Sequence, residues 1–311
     1  MPSIKKIQDS LDKLRTFAAD YSSRLKDNPD DLSAQLGLQS INSQIEELQQ
    51  QLYHENLKRE KEIIQLRIKG SIADYGSFPL SLAGKLTNAF SNAIFNSSKY
   101  FQYGNKGGKK IDNIISKSID LRLEGLGKGS TVFYLSANTS PDLFGDSIIQ
   151  NSLANVFELL GSESDEQFIE NISLVGSHSI KYFSDFLKKL SKNDLIIDLS
   201  WSSPNDNVKT WVGSKDRIMS LYKILNNFKL NEPEEVDFEG EIITLSMKGK
   251  FEILTVENER IYGTFPNELI KTIKQLHIGS FCKGVFLKTT IFNSTTGTEK
   301  YEYALRDIAL K

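Results

Sequence analysis

Cysteine and histidine are scarce in this sequence, which has one cysteine and three histidines among 311 residues. The single thiol, Cys282, has no partner for an internal disulfide, which fits a reducing compartment. We expect it to be a small core residue rather than a reactive thiol. The histidines (His54, His178 and His277) stand far apart and lack H-x-x-x-H or C-x-x-C spacing, so the sequence predicts no metal site and no cofactor.

Long apolar runs and an excess of one charge are also missing. Lysine and arginine number 38 and aspartate and glutamate 40, for a net charge of −2. Such a balance predicts no global attraction to nucleic acid or to an anionic membrane. No stretch approaches the roughly 20 apolar residues that span a bilayer, and the first residues are polar rather than an apolar leader. We therefore expect a cytoplasmic protein without membrane contact.

Apolar side chains recur at spacings of three and four over the first seventy residues. This repeat is typical of a seam between two helices. Asn28 and Pro29, followed by two aspartates, favour the start of a second helix. We predict an antiparallel helical hairpin or coiled coil over residues 1–70, whose second helix runs on to Lys69. The seam comprises Ile4, Ile7, Leu11, Leu14, Leu38, Ile41, Ile45, Leu48 and Leu52.

The second predicted helix is longer than the first, so the stretch from about His54 to Lys69 extends beyond its partner. It is dense in charges of both signs, which is typical of a solvated helix surface. Two arrangements stay open for it. Either it packs on the protein's own body, or a second subunit docks there.

Residues 71–234 predict an α+β unit, separated from the hairpin by Gly70, Gly76 and Pro79. The glycine-rich stretches at 104–110 and 124–129 lack the strand, loop and helix order of a nucleotide-binding loop. The elements expected here are a core helix from Leu80, strands over 114–123 and 130–137, helices over 146–160 and 165–191, strands over 195–201 and 209–212, and a helix over 214–228.

Two weak functional patterns lie in this unit. Asp198, Asn207 and Lys209 are spaced loosely like the core of a Mg²⁺-dependent nuclease, in which carboxylates hold the metal ion. Residue types this common occur at such spacing by chance, and a hairpin with polar outer residues explains them equally well. Lys106, Lys109 and Lys110 form a basic loop that could assist a nucleic-acid contact.

The sequence pattern over residues 235–311 is typical of β-strands. Three strands, a short helix after Pro266 and two further strands give the order of an OB-fold, a five-stranded barrel. An SH3-like small barrel is the alternative. Such barrels bind oligonucleotides by stacking bases on aromatic rings in a basic groove. The aromatics available for this are Phe251, Tyr262, Phe286, Tyr301 and Tyr303, of which the tyrosines are the candidate contacts.

The charge of this last unit argues against strong nucleic-acid binding, because its ten basic residues face eleven acidic ones and affinity depends largely on phosphate neutralisation. The first hypothesis is therefore a non-catalytic, intracellular, bacterial assembly or adaptor protein that oligomerises or binds a protein partner through its N-terminal coiled coil. Nucleic-acid binding by the barrel is the second hypothesis, and a Mg²⁺-dependent nuclease a distant third.

The first hypothesis predicts that light scattering of the full chain at tens of micromolar will give more than one copy per particle. The apolar seam supplies the physical reason, since it would be shared between copies. A strict monomer over that concentration range would contradict oligomerisation through the hairpin.

Overall fold

The structure is a computed structural model that describes residues 4–73, 77–127, 131–139, 147–204, 207–246, 249–294 and 297–310. The chain divides into two compact units, Met1–Ile63 with Ser202–Asn207, and Ile64–Trp201 with Val208–Lys311. The helices are α1 (Ile4–Asp27), α2 (Leu32–Glu60), α3 (Leu80–Tyr103), α4 (Lys109–Ile119), α5 (Ile148–Gly161), α6 (Asp165–Val175), α7 (Ser177–Lys192), α8 (Lys215–Asn227) and α9 (Ile270–Ile273).

The strands form two sheets. Those of the first sheet are β1 (Lys61–Lys69), β2 (Arg122–Gly127), β3 (Thr131–Asn138), β4 (Ile196–Ser202) and β5 (Val208–Gly213). Those of the second are β6 (Phe228–Leu230), β7 (Glu234–Ser246), β8 (Lys250–Thr255), β9 (Arg260–Thr264), β10 (Phe281–Asn293) and β11 (Thr298–Leu310).

The first unit is the predicted antiparallel hairpin of α1 and α2. Arg24 Nη2 lies 3.0 Å from Asp31 Oδ2, and the ring of Tyr21 lies against the backbone of Gly37, so the helices run in opposite directions. Asp31 caps α2 by accepting the backbone N–H of Ala34 at 3.0 Å. That hydrogen bond, together with Arg24, holds the pKa of the Asp31 carboxyl below its usual value. The second helix therefore begins after Asp31 rather than at Pro29.

The apolar seam lies between the two helices. Ile7 and Leu11 are buried. The other six seam residues are half-buried, namely Leu14, Leu38, Ile41, Ile45, Leu48 and Leu52. The side chain of Ile4 lies outside the described part of the structure. Oligomerisation through this seam stays a prediction.

The predicted continuation of the second helix to Lys69 is wrong. Helix α2 ends at Glu60, and residues 61–69 form strand β1. Ile64, Leu66 and Ile68 alternate along it and are almost completely buried. An alternation of period two points one side of a strand into a core, whereas a helical seam needs a spacing of three and four. This stretch is therefore a central strand of the five-stranded sheet and packs within the protein rather than extending beyond the hairpin as a helix.

The α+β body is built on a sheet with the order β2-β3-β1-β4-β5. Helix α3 packs against α5 and α7, and α7 packs against α8. The predicted helices α3, α5, α6, α7 and α8 and strands β3, β4 and β5 are confirmed. Ser214 caps α8 as expected by accepting the N–H of Arg217 at 3.2 Å. The core contains Phe90, Phe168 and Phe183.

The strand predicted over 114–123 is wrong in its first half. Residues 109–119 form helix α4, because Ile111, Ile115 and Ile119 recur at intervals of four and present one apolar face. Ile115 and Ile119 are buried, whereas Ile114 is exposed. The basic loop is shortened by the same helix, since Lys109 and Lys110 belong to its first turn.

The C-terminal barrel is closed. Strand β7 pairs antiparallel with β8 and β10, β8 with β9, and β10 with β11, while β11 closes the barrel by pairing parallel with β9. This order, with α9 between β9 and β10, is the OB-like arrangement expected from the sequence. Gly263 permits the closure, because a Cβ at this residue would lie 2.1 Å from the carbonyl oxygen of Tyr303.

Cys282 is buried in the barrel, which raises the pKa of its thiol.

The C-terminal end of α3 holds the barrel to the body within the second unit. Gln102 Oε1 accepts a hydrogen bond of 2.8 Å from Asn267 Nδ2, and Lys106 Nζ lies 2.6 Å from Glu268 Oε1. Tyr100 packs against Gly176, the residue between α6 and α7. In the described ranges, no helix has the length and apolarity needed to cross a membrane.

The contact of Tyr100 with Gly176 predicts a specific loss of stability. Gly176 has φ 83° and ψ 147°, a conformation that is essentially restricted to glycine, and a Cβ would lie 2.6 Å from Tyr100 Cγ. Replacing Gly176 by Ala should lower the free energy of unfolding by roughly 1–3 kcal/mol from backbone strain alone, measured by denaturant titration.

Gly84→Ala is the matched control, since Gly84 lies in α3 with open space around it. Alanine is the better helix former, so this variant should be unchanged or more stable by roughly 0.5–1 kcal/mol. Equal stability of the two variants would contradict the packing described for Gly176.

Candidate nucleic-acid interface

A cavity of about 360 Å³ lies where strands β8, β9 and β11 of the barrel meet helix α6 of the body. Tyr262 and Tyr301 line it with side chains that are 58% and 52% exposed. Ile169, Phe251 and Ile291 contribute apolar surface to the same wall. Exposed aromatic side chains are the kind of group on which planar ligands stack.

The two tyrosines are held by neighbouring cations. Lys288 Nζ lies 3.8 Å from the centroid of the Tyr301 ring, which is a cation–π contact. The Tyr301 hydroxyl donates a hydrogen bond of 3.4 Å to Glu299 Oε2. Arg260 bonds to the Tyr262 side chain, and this contact, together with Glu252, raises the pKa of the guanidinium. Each ring keeps an accessible surface beside a positive charge.

The charges around the cavity are mixed. Lys250 Nζ lies 2.6 Å from Glu170 Oε1, and Arg260 Nη1 lies 3.2 Å from Glu252 Oε1. Lys300 is a further cation in the lining. Because acidic partners offset the cations, the electrostatic attraction of this surface for phosphate is modest.

Glu302 is the most unusual ionisable group of the cavity. Its Oε1 is buried and has no hydrogen-bond partner. Burial raises the pKa of the carboxyl from 4.5 to about 8, so the neutral form predominates at pH 7. Burial, and then the nearby Glu302, also raises the pKa of Tyr100, which is hydrogen-bonded to Thr264. Tyr100 of α3 lies close to this carboxyl, next to Thr264 of β9.

A larger cleft of about 780 Å³ adjoins the cavity and shares Glu170 and Lys250 with it. It lies between α5, α6 and the start of β8. Its wall is rich in carboxamides, which can both donate and accept hydrogen bonds; these belong to Asn151, Asn155, Gln167, Asn171 and Asn267.

The barrel aromatics predicted from the sequence separate into two groups. Tyr262 and Tyr301 are exposed and lie at one cavity. Phe251 and Phe286 are buried, with ring centroids 5.4 Å apart. Tyr303 is half-buried and meets Phe238 edge-on at 5.5 Å, and desolvation raises the pKa of its hydroxyl. Of the three predicted tyrosines, Tyr262 and Tyr301 are the exposed ones, and contact of any of the three with nucleic acid stays a prediction.

The three lysines predicted to assist lie elsewhere. Lys106 is ion-paired with Glu268 at the junction of body and barrel. Lys109 and Lys110 are exposed at the start of α4. Among the residues that the structure describes, the cavity lining includes none of the three. Their contact with nucleic acid stays a prediction.

Two residues of the nuclease pattern, Asp198 and Lys209, are engaged in separate ion pairs. Asp198 Oδ2 lies 2.5 Å from Lys69 Nζ, and Lys209 Nζ lies 2.8 Å from Glu158 Oε1. The described part of the chain contains no group of three His, Cys, Asp or Glu residues that could hold a metal ion. These contacts give the nuclease hypothesis no support.

Sequence reasoning missed Glu302, Lys300 and Glu170. Successive side chains along β11 point to opposite faces, so Glu302 points away from the face of Tyr301 and Tyr303. This outward direction could be predicted once the strand was assigned. The burial of Glu302 could not be predicted, because it depends on how the body covers the barrel. Glu170 and Lys250 are 80 positions apart in the chain, and no local pattern links them.

No protein-family model matches the sequence, and a comparison with curated proteins finds no match. Among solved structures, the chain is similar to the mitochondrial single-stranded DNA-binding protein Rim1 of S. cerevisiae. The identity is 15%, the match covers 25% of this chain and 94% of that chain, and the TM-score is 0.23. Similarity at this level supports no statement about function.

The buried carboxyl predicts how stability depends on pH. Since folding raises the pKa of Glu302 from 4.5 to about 8, the folded state binds a proton that the unfolded state releases. Between about pH 5 and pH 8, the free energy of unfolding should therefore fall as pH rises, by at most about 1.4 kcal/mol per pH unit from this group. Glu302→Gln should remove this contribution in denaturant titrations across that range.

Glu299→Gln is the matched control, because Glu299 is exposed on the same strand. It should keep the wild-type dependence on pH. Parallel curves for the wild type and Glu302→Gln would contradict the burial of a neutral carboxyl.

Proposed function

We propose that the barrel binds single-stranded nucleic acid on the face of β8, β9 and β11, with bases stacked on Tyr262 and Tyr301. The observation that carries the proposal is that two exposed tyrosines of an OB-like barrel, Tyr262 and Tyr301, are both among the residues that line one cavity. Every base has a flat face, so stacking on tyrosine tolerates different sequences and contributes about 1–3 kcal/mol per base. In OB-folds, the face of strands two and three is the surface that binds oligonucleotides.

The adjoining cleft supplies a route for the strand away from the tyrosines. It shares Glu170 and Lys250 with the cavity. The amide nitrogens of Asn155 and Asn171 already donate within the protein, so their oxygens are the groups that would accept from sugar or base. A strand that enters between α5 and α6 and leaves over β11 would contact both. Several nucleotides are thus bound, rather than one isolated mononucleotide.

The charge balance predicts modest affinity with weak dependence on salt. Lys288 and Lys300 are the cations best placed for phosphates, at the ring of Tyr301 and in the cavity lining. Two phosphate contacts on a single strand correspond to a slope of log K against log salt of roughly −1.4. A strongly basic groove would give a much steeper slope.

Binding of a protein partner through the N-terminal hairpin is a separate prediction, and no contact among the residues that the structure describes favours it over the barrel. The two functions are compatible, since the hairpin and the barrel belong to different units. We propose nucleic-acid binding as the function that the side-chain arrangement supports best.

Fluorescence anisotropy of labelled 12-nucleotide single strands, at about 50 mM salt, tests the proposal. Tyr262→Ala and Tyr301→Ala should each weaken binding about 5- to 100-fold, because each removes one stacking platform. Folding is checked by circular dichroism and by the unfolding midpoint.

Phe281→Ala is the matched control. Phe281 is an exposed aromatic of the same barrel, and it lies on β10 nine residues from Thr290, the partner of Tyr301. That spacing separates it from Tyr301 by roughly 30 Å, so the variant should bind normally. Equal loss in all three variants, or no binding by the wild type, would refute the proposed interface.

A further inference from the structure

An uncharged row of side chains lies along β5, the strand at one edge of the five-stranded sheet. Val208 and Val212 are 64% and 67% exposed, and Thr210 between them is exposed as well; these three residues are called the edge row. All three are good β-formers, whereas native proteins usually protect an edge strand with lysine, proline or a bulge. Lys209, the one charged residue of β5, alternates to the opposite side of the strand and is held in an ion pair.

The hairpin between β4 and β5 fixes which backbone groups of β5 point to the free edge. The N–H of Ser203 donates to the carbonyl oxygen of Asn207 at 2.9 Å, and a Cβ at Gly213 would lie 2.8 Å from Ile197 Cγ2. Both contacts belong to one antiparallel register, since Gly213 lies as far after Asn207 as Ile197 lies before Ser203. Residues bonded to a neighbouring strand alternate with residues whose N–H and C=O point away from it. Asn207 and Gly213 face β4, so the N–H and C=O groups of the edge row face outward.

We propose that β5 pairs antiparallel with β5 of a second copy of this chain, about a two-fold axis at Thr210. In this register Thr210 stands opposite the partner's Thr210, and Val208 stands opposite the partner's Val212. The edge row of valine, threonine and valine is the same in both directions, so it is self-complementary, as a two-fold interface requires. Each opposite pair exchanges two N–H···O bonds, which gives about six bonds for the three pairs. Cross-strand pairs of threonine and of β-branched residues add favourable side-chain contact.

The opposite edge of the same sheet is protected, which leaves β5 as the edge that can pair. Strand β2 has a register shift between Leu123 and Gly125, and such bulges turn an edge away from a further strand. The alternation of exposed and buried residues along β5 is unbroken. Pairing over one short strand should bury less than the roughly 1,200–2,000 Å² of a standard stable interface. We therefore expect a weak dimer that forms as the protein concentration rises.

Charges placed at the two-fold axis test this pairing. Thr210→Lys and Thr210→Glu each bring two like charges directly opposite one another, which is unfavourable between strands. Sedimentation velocity of the full chain from about 10 to 500 μM should show association of the wild type at the upper end. Each charged variant alone should associate at least about 10-fold more weakly. An equimolar mixture of the two should associate again, because lysine then stands opposite glutamate.

Thr210→Val is the matched control, since it keeps the edge row uncharged and β-branched and should associate like the wild type. Circular dichroism checks that all variants fold, which is expected at an exposed residue.

Three results would overturn the proposal. One is a wild type whose copy number stays constant over the whole concentration range. The second is association that both charged variants retain, because the contact would then lie elsewhere, such as the N-terminal seam. The third is particles that grow without limit, which would indicate head-to-tail pairing of β5 with β2 instead of a closed two-fold dimer.

Discussion

The contact between the end of α3 and the barrel strands β9 and β11 is the constraint on which the candidate site depends. Tyr100 from the body lies within hydrogen-bond distance of Thr264 and close to Glu302, so the body covers a carboxyl that an isolated barrel would expose to solvent. Gly176 makes this contact available, since any side chain there would occupy the place of the Tyr100 ring. This packing forms the cavity, leaves Glu302 Oε1 without a hydrogen-bond partner and raises the pKa of the Glu302 carboxyl.

The same packing explains why the barrel differs from a freely exposed oligonucleotide-binding module. One end of its β8, β9 and β11 face is closed by α6, through the Lys250–Glu170 ion pair, and the other end is open at Tyr262 and Tyr301. Under the proposed function, a nucleic-acid strand would meet a partly covered groove in which stacking and hydrogen bonding contribute more than charge. The balanced charge of the barrel, which argues against tight non-specific binding, is consistent with a groove of this kind.

Sequence reasoning was most successful where a period was uninterrupted. The three strands, helix and two strands of the barrel could be predicted, because alternation and turn residues are local signals. It failed where an apolar stretch fits two periods. Ile63, Leu66 and Ile68 continue a heptad pattern closely enough to suggest helix. The alternation of Ile64 with Leu66 and Ile68 nevertheless belongs to the central strand β1. Exposure of Tyr262 and burial of Glu302 depend on contacts between distant parts of the chain, which no local pattern encodes.

The central claim is that a single strand lies across Tyr262 and Tyr301. Photo-crosslinking a 12-nucleotide strand that carries 5-iodouracil at successive positions, followed by mass spectrometry of the peptides, locates the contact directly. The account predicts crosslinks in β9 and β11 at Tyr262 or Tyr301. Crosslinks confined to other parts of the chain, such as the hairpin or the first turn of α4, would contradict it.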